Sequence, residues 1–358
     1  MENLVRGAAF NHGHRQYRFL RDIWHRPTWF GLRFKSTSQT QAKVAEGQHS
    51  VLLYLVSLLP CQRVLMPWTA DILAKLAAAS EWSYHPGELT ATEPAAFAAL
   101  ALLAHEQRAK AQRPLQWLSD HQNADGSLGI SAEQDAPGWP TSLAILAWSH
   151  ADSLGETKFH RPQINRAVEW LLGASGNPLK QGPDLGHDTT LVGWPWVLGT
   201  HSWLEPSAFA VSALKAAGHA EHPRTREAVR LVIDRLLPNG GANYGNISVL
   251  GQTLRPLVQI SGMALAAIAD EADRTGKIKR TVEYLRAELT DQTTAASLAF
   301  ALIGLGAYGA TPESADAWLS AAASRTFKRD ASSYKLALLA LAAKAREKSL
   351  LGNFAVAV

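Results

Sequence analysis

The chain has one cysteine, Cys61, in 358 residues. A single thiol excludes an internal disulfide framework and any zinc or iron–sulfur site built from several thiolates. No metal or other cofactor is therefore expected, and the cytoplasm is the default compartment. Charge is also sparse: 18% of residues are Asp, Glu, Lys or Arg, against 47% hydrophobic, which is too apolar and too weakly charged for a disordered chain. The apolar stretch Val51 to Leu59, closed by Pro60, has roughly half of the ~20 residues that span a bilayer and lies too deep in the chain for a signal peptide. No stretch alternates apolar and polar residues as a strand-rich protein would, so the class is all-α.

What charge there is sits at one end. Residues 1–35 carry +5 and the remainder −1, so no basic field covers the body and no nucleic-acid partner is expected there. Residues 1–48 read as a basic N-terminal extension, in the first instance a mobile solvated arm. Trp24, Trp29, Phe30 and Phe34 interleave with its cations, which keeps open a peripheral membrane contact or a nucleic-acid contact of the arm. Residues 49–358 are assigned to the folded domain.

That domain repeats. Thr92-Glu93-Pro94-Ala95-Ala96-Phe97-Ala98 is echoed by Leu204-Glu205-Pro206-Ser207-Ala208-Phe209-Ala210, and Trp139-Pro140-Thr141-Ser142-Leu143-Ala144 fits the same template. In each, proline occupies a first helical turn, where an N–H has no acceptor, and an Ala/Leu-rich run follows. Weaker echoes begin near Ser261, Ala295 and Ser332. Between these apolar helices runs a second series marked by Trp117-Leu118, Trp170-Leu171, Leu231-Val232, Tyr284-Leu285 and Trp318-Leu319. Its members carry an apolar stripe at i, i+3, i+4 and i+7 and one wet face; Pro67 to Ala79 adds one more. Six inner and six outer helices in alternation predict an (α/α)6 toroid, a closed double ring around a central cavity, with an open solenoid as the alternative.

In such a ring the loops entering the inner helices open onto one end of the cavity. The richest is Asp184 to Pro206, with three tryptophans, two histidines and three carboxylates in 23 residues, a composition typical of a functional loop. Glu205 and Asp188 are the candidate catalytic carboxylates. Trp194, Trp196, His201, Trp203, Glu93, Trp139 and Tyr244 are candidate substrate-binding residues, because aromatic faces beside carboxylates suit a carbocation, a sugar face or an apolar chain. Each has a plainer reading. Glu93 and Glu205 suit helix starts through the dipole, the tryptophans suit packing between helices, and Asp188-Thr189-Thr190 suits a turn. His187 with Asp188 and His201 lacks helical metal-ligand spacing, so no metal is assigned there.

Two glycine-rich runs, Gln122-Asn123-Ala124-Asp125-Gly126-Ser127-Leu128-Gly129 and Gly240-Gly241-Ala242-Asn243-Tyr244-Gly245, stop the preceding helices. They resemble degenerate repeats of the terpenoid cyclase and protein prenyltransferase toroids, with Leu128 and Ala242 where tryptophan is usual. Gly193-Trp194-Pro195-Trp196 through Glu205-Pro206-Ser207-Ala208 is similar to small bacterial stand-alone proteins carrying such repeats, and the resemblance covers roughly residues 66 to 345. It implies a squalene-hopene cyclase-like protein that acts on or binds an apolar isoprenoid in the central cavity. If that protein is an enzyme, the resemblance implies an isomerase, lyase or transferase with Glu205 at the middle position of the D-x-D-D acid motif. Trp203 and Pro206 occupy the flanking acid positions, Cys61 lies outside the repeats that would hold zinc, and no D-D-x-x-D run occurs. Two alternatives stand beside this reading: a non-catalytic toroid holding a lipid, peptide or protein partner, and a glycan-active (α/α)6 enzyme using Asp188 and Glu205.

Overall fold

A computed structural model describes residues 67–155, 158–181, 185–249 and 251–345. The basic extension 1–48, the stretch Val51 to Leu59, Cys61 and Asp184 lie outside the described residues. Within them the chain forms α1 (Pro67–Ala78), α2 (Thr92–Ala104), α3 (Arg108–Asp120), α4 (Thr141–Leu154), α5 (Arg161–Gly173), α6 (Leu204–Ala216) and α7 (Pro223–Asp234). The hairpin β1 (Ser248–Val249) and β2 (Gln252–Thr253) intervenes, followed by α8 (Val258–Ala267), α9 (Lys277–Glu288), α10 (Ala295–Ala307), α11 (Ala315–Arg329) and α12 (Ser333–Ala345).

The even-numbered helices are the inner ring. Each packs on the next, and α12 returns to α2, so the ring closes. Their composition explains the position: every residue from Thr92 to Leu103 and from Leu204 to Lys215 is buried, which an apolar surface all round permits and an amphipathic one does not. The odd-numbered helices wrap outside. In α7, Thr225, Ala228, Val229, Leu231 and Val232 are buried while Arg230 faces water. The (α/α)6 toroid is thus the observed fold.

Close approach of the inner helices demands small residues. A Cβ on Gly262 of α8 would stand 2.3 Å from the Phe300 carbonyl oxygen of α10, and one on Gly304 would stand 2.5 Å from the Gly262 oxygen. The loops entering successive inner helices repeat a single device. The backbone N–H of Leu128, Trp194 and Ala242 donates to a hydroxyl at the start of the following inner helix, respectively Thr141 at 2.9 Å, Ser207 at 2.9 Å and Ser261 at 2.8 Å. This is why α8 begins at Val258, ahead of the expected Ser261, whose hydroxyl serves the loop from inside the first turn.

Candidate functional site

Register along the inner helices determines what meets at the axis. The second residues of α2, α4, α6, α8, α10 and α12 are Glu93, Ser142, Glu205, Gln259, Ala296 and Tyr334; the sixth are Phe97, Leu146, Phe209, Met263, Phe300 and Leu338. Residues four apart share a helical face, so each glutamate stands one turn above a phenylalanine. The three phenyl rings, from alternate inner helices, meet with centroids 6.2, 5.7 and 6.2 Å apart and are buried. They fill the middle of the ring as a hydrophobic floor.

Above that floor lies a polar cluster. Glu93 is 6% exposed and Glu205 7%. Tyr84, from the loop entering α2, donates its hydroxyl to Glu93 Oε2 at 2.5 Å, and the Tyr334 hydroxyl donates to the same carboxyl. The two tyrosine rings pack 5.2 Å apart, and Tyr334 also meets Phe97 at 6.0 Å. Helix N-termini ordinarily favour carboxylate anions, but here burial wins. It pushes Glu205 up to about 8, with the Glu93 charge adding to the effect. It pushes Glu93 up to about 7, against the pull of the two tyrosine hydroxyls. Burial and Glu93 together hold both tyrosines above their ordinary value, so their hydroxyls stay donors. The two donors favour the anion on Glu93, while the described residues give the Glu205 carboxyl no hydrogen-bond donor. Glu205 therefore holds its proton to higher pH than Glu93, and between about 7 and 8 the pair carries a proton on Glu205 and a charge on Glu93.

An aromatic wall rises beside Phe209. Trp139 lies parallel to Phe209 at 6.1 Å and meets Trp196 edge-on at 4.8 Å. A hollow of about 10 Å³, lined by both tryptophans, Ser142 and Pro206, has room for about one water. Trp194 lines the same hollow. Its indole N–H donates to the Leu171 carbonyl at 2.8 Å, and the Arg224 guanidinium stacks 4.7 Å over it. Trp82 repeats this arrangement, bonding the Leu76 carbonyl at 3.2 Å beneath Arg113. Both indoles are wedges between consecutive outer helices, and Leu128 and Ala242 hold the equivalent buried positions.

The remaining candidates lie around the rim. Asp188 turns back on its own chain, its carboxylate accepting from the Thr190 N–H at 2.9 Å and hydroxyl at 2.6 Å. Those bonds hold it below the usual carboxylate range. Its charged neighbours are Arg235 and His187, not Glu205. His201 and Trp203 pack together at 4.5 Å. Tyr244 is half exposed, and its carbonyl accepts the Leu204 N–H at 3.0 Å. The structure thus brings Glu93, Glu205, Trp139 and Trp196 to one end of the axis, joined by Tyr84 and Tyr334, which sequence reasoning missed. Tyr334 carried a signal, since it occupies in α12 the register of Glu93 in α2; Tyr84, in a loop, carried none. Among the described residues no group of three metal-ligating side chains assembles, and no helix is long and apolar enough to cross a membrane.

No protein-family model matches the chain, and no curated protein is similar to it in sequence. Solved structures do resemble it. The α-1,6-mannanase GH76A of Salegentibacter sp. HEL1_6, in complex with α-1,6-mannotetrose, superposes with a TM-score of 0.50 at 11% identity over 80% of this chain and 100% of that one. A reducing-end-xylose releasing exo-oligoxylanase complexed with xylose gives 0.50 at 12% identity over 88% and 94%. A Salmonella alpha-2-macroglobulin reacted with methylamine gives 0.46 at 14% identity over 77% of this chain, which spans 17% of that one. At these identities the likeness shows the fold. It corrects the expectation of a terpenoid cyclase-like or squalene-hopene cyclase-like isomerase or transferase: the toroids of matching extent are glycosidases, and three packed phenylalanines meet where a central cavity for an isoprenoid was expected.

Proposed function

We propose that the ring is a glycan-active enzyme whose acid and base are Glu205 and Glu93. The observation that carries this reading is the pairing of two buried carboxyls at one mouth of the ring, in environments that divide one proton unequally between them. Glycosidic cleavage needs such a division. The protonated Glu205 donates to the glycosidic oxygen as the C–O bond breaks. Glu93, held by the hydroxyls of Tyr84 and Tyr334, takes the second carboxylate role toward water or the anomeric carbon. Trp139 and Trp196 offer faces for sugar rings. The activities of the mannanase and the exo-oligoxylanase of like fold support this substrate class. Because both carboxyls are nearly closed from solvent, a substrate reaches them on displacement of covering residues. We assign that motion to the loop carrying Trp196, whose tip residues Val197 and Leu198 stand exposed.

The test is release of reducing ends from α-1,6-linked manno-oligosaccharides and from xylo-oligosaccharides. Removing a general acid costs about 10²–10⁴-fold, so Glu205→Gln is expected to lose that much, and Glu93→Gln likewise. The rate should peak between limbs near 7 and 8. Failure of every glycan, with co-purification of an unmodified partner, would favour the second reading, a non-catalytic toroid. The near-complete burial of both carboxyls above the phenylalanine floor is the observation on its side.

A further inference from the structure

The mouth of the ring is not walled equally all round. Long segments, 79–91, 121–140, 174–203 and 235–257, lead into α2, α4, α6 and α8, whereas only 289–294 and 330–332 lead into α10 and α12. Burial follows that asymmetry. At the second helical position Glu93, Ser142 and Glu205 are buried, while Gln259 of α8, Ala296 of α10 and Tyr334 of α12 are half-buried. Ala295 and Ser297, which flank Ala296, are half-buried too. The wall is thus lowest over α10, where this register holds its smallest side chain. Gln259 borders that low side. It stands one turn above Met263, as Glu93 stands above Phe97, and its helix packs against both α6, which carries Glu205, and α10. The other hydrogen-bonding neighbours in the register are engaged: the Ser142 hydroxyl donates to the Trp139 carbonyl at 2.7 Å, and the Tyr334 hydroxyl donates to Glu93. The described residues give the Gln259 amide no partner. An amide both donates and accepts, as a sugar hydroxyl does. We propose that a glycan enters the ring over the first turn of α10 and that the Gln259 amide bonds the sugar unit seated there, beside Glu205.

This assignment rests on the glycan-active reading above, and the experiment separates the two. Manno-oligosaccharides and xylo-oligosaccharides are offered to the full chain, with cleavage read as KM and kcat, and binding to the Glu205→Gln chain read by saturation-transfer NMR. Gln259→Leu removes the amide at similar size. Ala296→Trp fills the low side of the mouth, and Leu89→Trp adds comparable bulk to its walled side, where Leu89 is exposed. A hydrogen bond made equally to the ground and transition states acts on KM alone. Gln259→Leu is therefore expected to raise KM, and the dissociation constant in the Glu205→Gln chain, about tenfold at unchanged kcat, the loss set by one unmade hydrogen bond. Ala296→Trp should weaken binding at least as much and Leu89→Trp should leave it unchanged. Where the bulkier variant does not fold, Gln259→Leu decides alone. Binding that weakens in this pattern, in a wild-type chain that cleaves nothing, would keep the seat over α10 and refute the acid role of Glu205. Wild-type KM and affinity in Gln259→Leu or in folded Ala296→Trp, an equal loss in Leu89→Trp, or no binding of either glycan would overturn the inference.

Discussion

The axial pair makes stability depend on pH in a direction opposite to that of ordinary carboxylates. In the unfolded chain a glutamate releases its proton near 4.5; in the fold Glu93 keeps it to about 7 and Glu205 to about 8. Once pH passes the unfolded value, the folded state binds more protons, so these groups withdraw stability as pH rises, until the fold too has released them. His150, His187 and His219, all held below their ordinary value of 6.5 by desolvation, act oppositely, but their contribution levels off once pH passes that value. Between pH 6.5 and 8.5 the carboxyls therefore dominate, and Glu205 alone accounts for a fall of roughly 2 kcal/mol. Glu205→Gln substitutes a permanently neutral isostere. Relative to wild type it should gain that roughly 2 kcal/mol over the same interval, about 4 °C in Tm at ~2 °C per kcal/mol for a domain of this size. Differential scanning fluorimetry at half-unit pH steps measures it. Parallel wild-type and variant curves from pH 6.5 to 8.5 would refute the reasoning.

Three further outcomes follow from the packing. Tyr84→Phe removes a donor that favours the Glu93 anion, so the acid limb of the pH–rate profile should move upward, with Tyr334→Phe moving it the same way. Phe97→Ala opens the floor of the ring and should cost about 3–5 kcal/mol in urea unfolding; a cost near zero would show the three rings do not form one packed unit. Gly262→Ala drives a methyl group against the Phe300 carbonyl and should destabilise by about 1–3 kcal/mol or more, readable as a lower midpoint at unchanged slope.

The ring itself was legible because its determinants are local and repeated. Glu-Pro at the same register in α2 and α6 marks helix starts through backbone chemistry, and the contrast between all-round apolar and one-sided helices reports which are covered on both faces. The isoprenoid expectation drew on residues that serve the fold. Asp125 accepts from the Ser127 N–H and hydroxyl at 3.0 and 2.6 Å, and Gly126 has a φ of +91° where a Cβ would stand 2.4 Å from the Arg166 carbonyl oxygen. Gly240, with a φ of +98°, repeats the approach against Arg280. Such turns belong to any ring built of these pairs, whatever chemistry its mouth performs. Trp194 was ambiguous for a related reason: an indole wedged between outer helices and one lining a cavity look the same in a sequence, and Trp194 does both, bonding Leu171 under Arg224 as Trp82 bonds Leu76 under Arg113, while lining the hollow beside Trp139. That Glu205 faces Glu93 and not Asp188 depends on how the ring closes, which no local pattern encodes.

The division of one proton between two buried carboxyls is the claim on which the functional reading rests. Carbon-13 NMR of side-chain carboxyls in glutamate-labelled protein, assigned with Glu93→Gln and Glu205→Gln, measures it directly. The account predicts two coupled titrations, near 7 for Glu93 and near 8 for Glu205. Independent titration of both near 4.5 would contradict it.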